Sequence, residues 1–256
     1  MSNSNCFTNI HKSFPQNKVG KDYFIGDIHG EYNLIEALLK YVNFSVKDDR
    51  LFSVGDLCDR GKDSVACIEL SKEKWFHPVI GNHELFVINY NENNAFANKL
   101  WKHNGGEWWF SLKKTTQDNI RNTIIENYHI LVDVYTEYGL VGMTHANYPI
   151  PKWPIDIDEL NEDNLKKIVW DRTLLTSKVR GIDLLISGHT PHNTPEFNGF
   201  HLNIDTGSGY KSSNAIHNPS LTMCNLQSTG IDFISASTNK IITTSLNTTN
   251  IINNDE

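Results

Sequence analysis

The chain has 256 residues, 39% of them hydrophobic and 21% charged, which is ordinary for a globular protein and enough to bury one sizeable core. Lys and Arg number 23 against 30 Asp and Glu, a formal net charge of -7. No segment clusters basic residues as a nucleic-acid binder does to neutralise phosphates, so nucleic acid is not an expected partner, and any specificity for phosphate must be local.

The first residues, Met1 to Ile10, are polar and lack the apolar stretch of a signal peptide, and no run approaches the ~18 apolar residues of a membrane span. The four cysteines, Cys6, Cys58, Cys67 and Cys224, show neither the CxxC spacing of a zinc site nor the density of a disulfide scaffold. A reducing cytoplasm and no membrane partner are therefore expected, with residues 1–20 forming a polar N-terminal extension.

Residues 22–26 read as a short buried strand. The segment 31–43 then places Leu34, Ile35, Leu38, Leu39 and Val42 at helical spacing. The pattern repeats: Leu51 to Val54 leads into Gly55, and Val65, Ile68 and Leu70 mark a second amphipathic helix before a strand near Val79-Ile80. Two βαβ units, and hence a parallel sheet with crossovers, are implied. Residues 84–128 hold no convincing strand and predict a helical insertion carrying Trp101, Trp108 and Trp109, a cluster read as packing. Paired strands are expected at His129–Val134 and Gly139–Met143, a helix at Leu160–Trp170, and a buried strand at Ile182–Ser187. Segments 200–205, 220–226, 231–235 and 241–245 resemble successive antiparallel strands of a second sheet. A single domain over 21–245, followed by a disordered tail at 246–256, is the expected organisation.

The chemistry lies at the ends of the strands. Gly26-Asp27-Ile28-His29-Gly30 puts a carboxylate and an imidazole two residues apart just beyond the first strand, where open α/β sheets bind ligands. Flanking glycines let the backbone bend sharply there, and Asp and His are good ligands for manganese, iron or zinc. Gly55-Asp56-Leu57-Cys58-Asp59-Arg60-Gly61 occupies the equivalent place after the second strand: Asp56 could bridge two metals, and the planar fork of Arg60 suits phosphate oxygens. Gly81-Asn82-His83-Glu84 follows the third strand, His145 the strand 140–143, and His189 in Gly188-His189-Thr190 the strand 184–187. Any one of these could be a polar turn or a structural histidine. Three strand ends with a glycine followed at once by a ligand type are difficult to attribute to packing.

This ordered set resembles the phosphoprotein phosphatase family, in particular its bacterial and bacteriophage branch, over about Phe24 to Gly207. Asn104-Gly105-Gly106 with Trp108, and His145-Ala146-Asn147-Tyr148-Pro149, are similar to stretches of that branch. Asn147 replaces the aspartate expected there, and Cys58 replaces a common valine; neither change removes a ligand type. The resemblance implies an α/β fold, the calcineurin-like metallophosphoesterase β-sandwich of two mixed sheets flanked by helices, with the active site at strand C-terminal ends. It also implies two divalent metal ions, Mn2+ or alternatively an Fe/Zn pair. Asp27, His29 and Asp56 would hold the first, Asp56, Asn82, His145 and His189 the second. His83 resembles the general acid that protonates the leaving oxygen and Asp59 the residue that orients its ring. Arg60, Arg172 and Asn82 would bind the substrate phosphate. Asp205 is expected to hydrogen-bond a ligating histidine, while His103 and His192 match no ligand position.

The implied activity is metal-dependent hydrolysis of phosphomonoesters by direct attack of water, most naturally on a phosphorylated protein or peptide at serine or threonine, with activity extending to phosphotyrosine. Two alternatives stay open. Symmetrical dinucleoside polyphosphate hydrolases share the metal framework but carry Ala-Arg where this chain has Asp59-Arg60, and a silent phosphate-binding module would have lost ligands that are all present here.

Overall fold

The computed structural model describes residues 9–248 apart from Leu174 and Asn239. The expected βαβ units are formed by β2 (Asp22–Ile25), α1 (Tyr32–Tyr41), β3 (Arg50–Ser53), α2 (Ser64–Glu69) and β4 (Phe76–Pro78), and the three strands pair in parallel. α1 buries Leu34, Ile35 and Leu38, the stripe its spacing announced. The antiparallel strands β10 (Leu221–Gln227), β11 (Gly230–Ser237) and β12 (Lys240–Asn247) extend this sheet from β2, giving the order β12-β11-β10-β2-β3-β4.

The second sheet runs β1-β5-β6-β7-β9-β8, built from β1 (His11–Phe14), β5 (Leu131–Tyr135), β6 (Leu140–Met143), β7 (Leu184–Ser187), β8 (Glu196–Phe197) and β9 (His201–Asn203). Both sheets are mixed, as the resemblance implied. In this sheet β6, β7 and β9 are mutually parallel, while β5–β6 and β8–β9 are antiparallel. Among the described residues no helix is long and apolar enough to cross a membrane.

The period of two in each strand sorts its side chains between two cores. Phe24, Phe52, Val141, Met143, Leu184, Ile186, Cys224 and Leu226 meet between the sheets. Their neighbours Tyr23, Ile25, Leu51, Leu185 and Met223 face the helices outside. The Phe24 and Phe52 rings stack at 5.4 Å at the centre of the sandwich. Truncating such a ring to alanine costs about 3–5 kcal/mol.

Three boundaries differ from those expected. Within the 1–20 extension, His11–Phe14 is an edge strand parallel to β5, and Phe14 packs edge-on against Phe52 at 5.0 Å; one apolar residue among polar ones carries no periodic signal, so the domain starts before residue 21. The third strand lies at Phe76–Pro78 rather than Val79-Ile80; Val79 keeps its N–H bond to the Ser53 carbonyl at 2.9 Å and adds a bridge to His129. Leu246 and Asn247 of the expected tail complete β12 opposite Ile231 and Gly230, and Thr248 is buried; residues 249–256 of that tail, like Cys6, lie outside the described residues. The two-residue strand β8 had no sequence signal. Residues 82–127 form α3 (Asn82–Ile88), α4 (Ala95–His103), α5 (Glu107–Phe110) and α6 (Lys114–Asn127), and α7 spans Glu162–Trp170.

Candidate active site

The C-terminal ends of β2, β3 and β4 in one sheet meet those of β6, β7 and β9 in the other. Hydrogen bonds stitch the two rims together: His189 N–H donates to Asp27 Oδ1 at 3.1 Å, and His145 Nδ1–H to the Val54 carbonyl at 2.8 Å. The loops are bent hard to bring their side chains inward. His29, Asp56, Asp59, Arg60 and His189 all have positive φ, between 48° and 72°. Each costs on the order of 1–3 kcal/mol, and main-chain bonds from Ile28 and His29 N–H to the Asp56 carbonyl help to hold them.

Asp27, His29, Asp56, Asn82, His83, His145 and His189 are all buried, none more than 6% exposed. Such a concentration of polar groups is costly without a compensating charge. Asp56 is its centre: its Oδ2 lies 3.6 Å from His29 Nε2, 3.5 Å from His145 Nε2 and 3.9 Å from His83 Nε2. Asn82 Oδ1 and His189 Nδ1 lie 2.9 and 3.2 Å from His145 Nε2. Two groups of potential metal ligands share Asp56, one with His29 and His83, the other with His145 and His189. The first differs from the expected set in taking His83 where Asp27 was assigned; Asp27 Oδ2 stands 3.9 Å from His29 Nε2.

The tautomers suit cation binding. His29 gives its Nδ1–H to the Cys58 carbonyl at 2.9 Å and His145 gives its own to Val54, so in both the unprotonated Nε2 faces Asp56. His189 Nε2–H reaches the Trp170 carbonyl at 3.2 Å, which leaves Nδ1 free to ligate. Burial pulls the basicity of His29, His145 and His189 down, the last to a pKa of about 3. Burial also pushes Asp27 well up, helped by Asp205 and Asp56, and raises Asp205 to about 6. Asp56 moves the other way: burial opposes its charge, but His145, His83 and His29 hold its pKa down. An oxygen and imidazole donor set without thiolate, its lone pairs converging and its carboxylates crowded, fits a pair of divalent cations.

A second cluster stands beside this one. Asp59 Oδ2 accepts from His83 Nδ1–H at 2.5 Å, leaving His83 Nε2 directed toward Asp56. Burial lowers the proton affinity of His83, but Asp56 and Asp59 outweigh it and the net shift is upward. Arg60 hydrogen-bonds His29 Nε2 through Nη1, lies 3.3 Å from His83 Nε2 through Nη2, and rests on the Tyr210 ring at 4.1 Å. Arg172 Nε lies 3.4 Å from His189 Nε2, and among the described residues no carboxylate forms an ion pair with it.

Several residues do what the sequence did not announce. Glu84, named only as part of a motif, accepts three main-chain N–H groups, from Asp56 at 3.0 Å, Leu57 at 2.8 Å and Gly81 at 2.8 Å, and so ties the second loop to the third. Trp101 and Trp108, read as packing, donate their indole N–H groups to Asp59 at 2.7 and 2.6 Å; the string Asn104-Gly105-Gly106 between them was the available signal. Asp205 bonds the Gly207 N–H at 2.9 Å instead of a ligating histidine, because its loop turns back on itself. Asn147 donates to Asp171 Oδ2 at 3.3 Å and to the Thr173 carbonyl at 3.0 Å, where an aspartate would meet a like charge. His103 is exposed on α4, and His192 faces Glu196 at 4.0 Å.

The family described as calcineurin-like phosphoesterase matches residues 23–193. The chain is 31% identical over 194 residues to serine/threonine-protein phosphatase 1 of Salmonella typhimurium, covering 73% of this chain and 86% of that one. It is 34% identical over 140 residues to the symmetrical bis(5'-nucleosyl)-tetraphosphatase of Shewanella frigidimarina, covering 54% of this chain and 48% of that one. The crystal structure of a cold-active protein-tyrosine phosphatase of a psychrophilic Shewanella species superposes with a TM-score of 0.58 at 13% identity, over 90% of this chain and 81% of that one, a likeness of fold.

Proposed function

The chain belongs to the calcineurin-like phosphoesterase family, a family of metallophosphoesterases, and on that premise we propose that it is a protein phosphatase that removes phosphate from serine and threonine, with activity extending to phosphotyrosine. Asp27, His29 and Asp56 would hold one divalent cation, and Asp56, Asn82, His145 and His189 the other. Manganese is the metal this branch suggests. When bound, the cations act as Lewis acids on the phosphoryl oxygens and on the attacking water. Arg60 and Arg172, with Asn82, bind the phosphoryl oxygens and stabilise charge in the transition state. Water attacks phosphorus in line as the bond to the leaving oxygen breaks. His83 gives its Nε2 proton to that oxygen, and Asp59 keeps the ring turned toward it.

The observation that carries this reading is the 2.5 Å bond between Asp59 and His83. A serine or threonine alkoxide is a poor leaving group and needs a proton, whereas a nucleotide phosphate departs readily as an anion. A buried, oriented proton donor therefore supports a monoester substrate. The similarity to the Shewanella frigidimarina tetraphosphatase favours a second reading, cleavage of dinucleoside polyphosphates. Turnover of a phosphothreonine peptide and of diadenosine tetraphosphate by the Mn2+-loaded protein separates them. Preference for the peptide is expected; preference for the dinucleotide would reverse the assignment.

A further inference from the structure

The groups that hold Asp59 come from the helical insertion. We infer that Trp101 and Trp108 are positioning residues for the reaction: their indole N–H groups clamp the Asp59 carboxylate so that it fixes the His83 ring. This rests on the reading of His83 as the proton donor. Asp59 is fully buried, and among the described residues its only ion-pair partner is His83. Each carboxylate oxygen is held separately, Oδ2 by Trp101 on α4 and Oδ1 by Trp108 on α5, so the group cannot turn about its Cβ–Cγ bond without breaking a bond. An indole donates and does not accept or ionise, so it fixes the carboxylate without adding charge to the site.

The backbone around the two indoles is shaped for this contact. A Cβ on Gly105 would lie 2.5 Å from the Arg60 nitrogen, and one on Gly106 2.3 Å from Trp101 Cδ1, so both glycines permit the approach. The Gly105 carbonyl accepts the Arg60 N–H at 3.1 Å, and Ser64 Oγ accepts the Asp59 N–H at 2.9 Å, holding a segment in which both residues have positive φ. Trp101 also stacks on Phe86 at 5.9 Å, and Phe86 stands edge-on to His83 at 5.7 Å. The insertion thus holds the histidine both through its carboxylate partner and against its ring.

Trp108→Phe tests this, since it keeps an aromatic ring and removes the N–H. With Mn2+ bound, the variant is expected to lose about tenfold in kcat on a phosphoserine peptide at unchanged KM, and less than about twofold on 2,4-dinitrophenyl phosphate, whose leaving group needs no proton. In a His83→Asn background the same change is expected to have no further effect, there being no imidazole left to orient. Trp101→Phe should repeat the pattern; thermal unfolding checks each fold, and the less buried Trp108 keeps the test decisive if Trp101→Phe fails to fold. Equal loss on both substrates, additional loss in the His83→Asn background, or no loss at all would overturn the clamp. If His83→Asn discriminates between the substrates and Trp108→Phe does not, the clamp alone is wrong. If His83→Asn treats the substrates alike, the proton-donor reading falls and the clamp falls with it.

Discussion

Replacing Asp59 by asparagine keeps the shape of the side chain and removes its charge. The carboxylate accepts three N–H groups, two on Oδ2 from His83 and Trp101 and one on Oδ1 from Trp108. Asparagine has one acceptor oxygen. If that oxygen keeps the Oδ2 position, its amide NH2 faces the Trp108 N–H across 2.6 Å, donor against donor; if it turns over, His83 Nδ1–H loses its acceptor. The first arrangement loses one charge-assisted bond, worth about 1.5–3 kcal/mol, and the second loses two, those from His83 and Trp101. At about 1.4 kcal/mol per decade, one such bond is roughly a 10- to 100-fold loss wherever His83 must deliver its proton. The assay is steady-state release of phosphate from a series of aryl and alkyl phosphates by Mn2+-loaded wild type and Asp59→Asn. The loss should steepen as the leaving group becomes more basic and vanish for dinitrophenyl phosphate. A uniform loss across the series, or none on the alkyl esters, would refute the role given to Asp59.

Gly105→Ala forces a Cβ to 2.5 Å from the Arg60 nitrogen at a φ of 96°, and a destabilisation of about 2–4 kcal/mol with weaker inhibition by inorganic phosphate is expected; unchanged urea unfolding would contradict the packing argument. Chelation should lower the unfolding temperature, because Asp27, Asp56 and Asp205 crowd one buried region; Mn2+ at a hundredfold excess over Kd should restore about 2.7 kcal/mol per site, and an unfolding temperature indifferent to Mn2+ would argue against the cation site. His77 is held to a pKa of about 3 by burial, with Lys12 and Arg50 adding, so the unfolded chain takes up this proton first. Its contribution is therefore complete above the unfolded value near 6.5 and falls away on acidification, by about 2 kcal/mol between pH 7 and pH 5. His77→Gln should flatten the stability profile in chelator across that window, and parallel profiles would show the histidine to be irrelevant.

The sequence alone determined a good deal of this protein because its local periods are strong. The short, mainly apolar runs at 22–25 and 51–54, buried on both faces, and the helical stripe of Leu34, Ile35 and Leu38 are dictated by which surfaces must leave water, and each is legible within a few neighbouring residues. The ligand types were equally visible, since glycine followed by Asp, Asn or His at a strand end is itself a local pattern, and the fold it predicted is the one found. Other features required the whole chain to be assembled. Asp59 lies 49 residues from Trp108, and His189 162 residues from Asp27; contacts made by a single polar atom impose no period on the residues around them. For the same reason Phe14 looked like part of a polar extension until β5 offered it a place in the core, and Glu84 looked like the end of a motif until three main-chain N–H groups converged on it. Composition and periodicity fix which surfaces are buried, but only the packing of distant segments decides which buried donor meets which acceptor, and it is at that level that Asp59 and His83 are held in register.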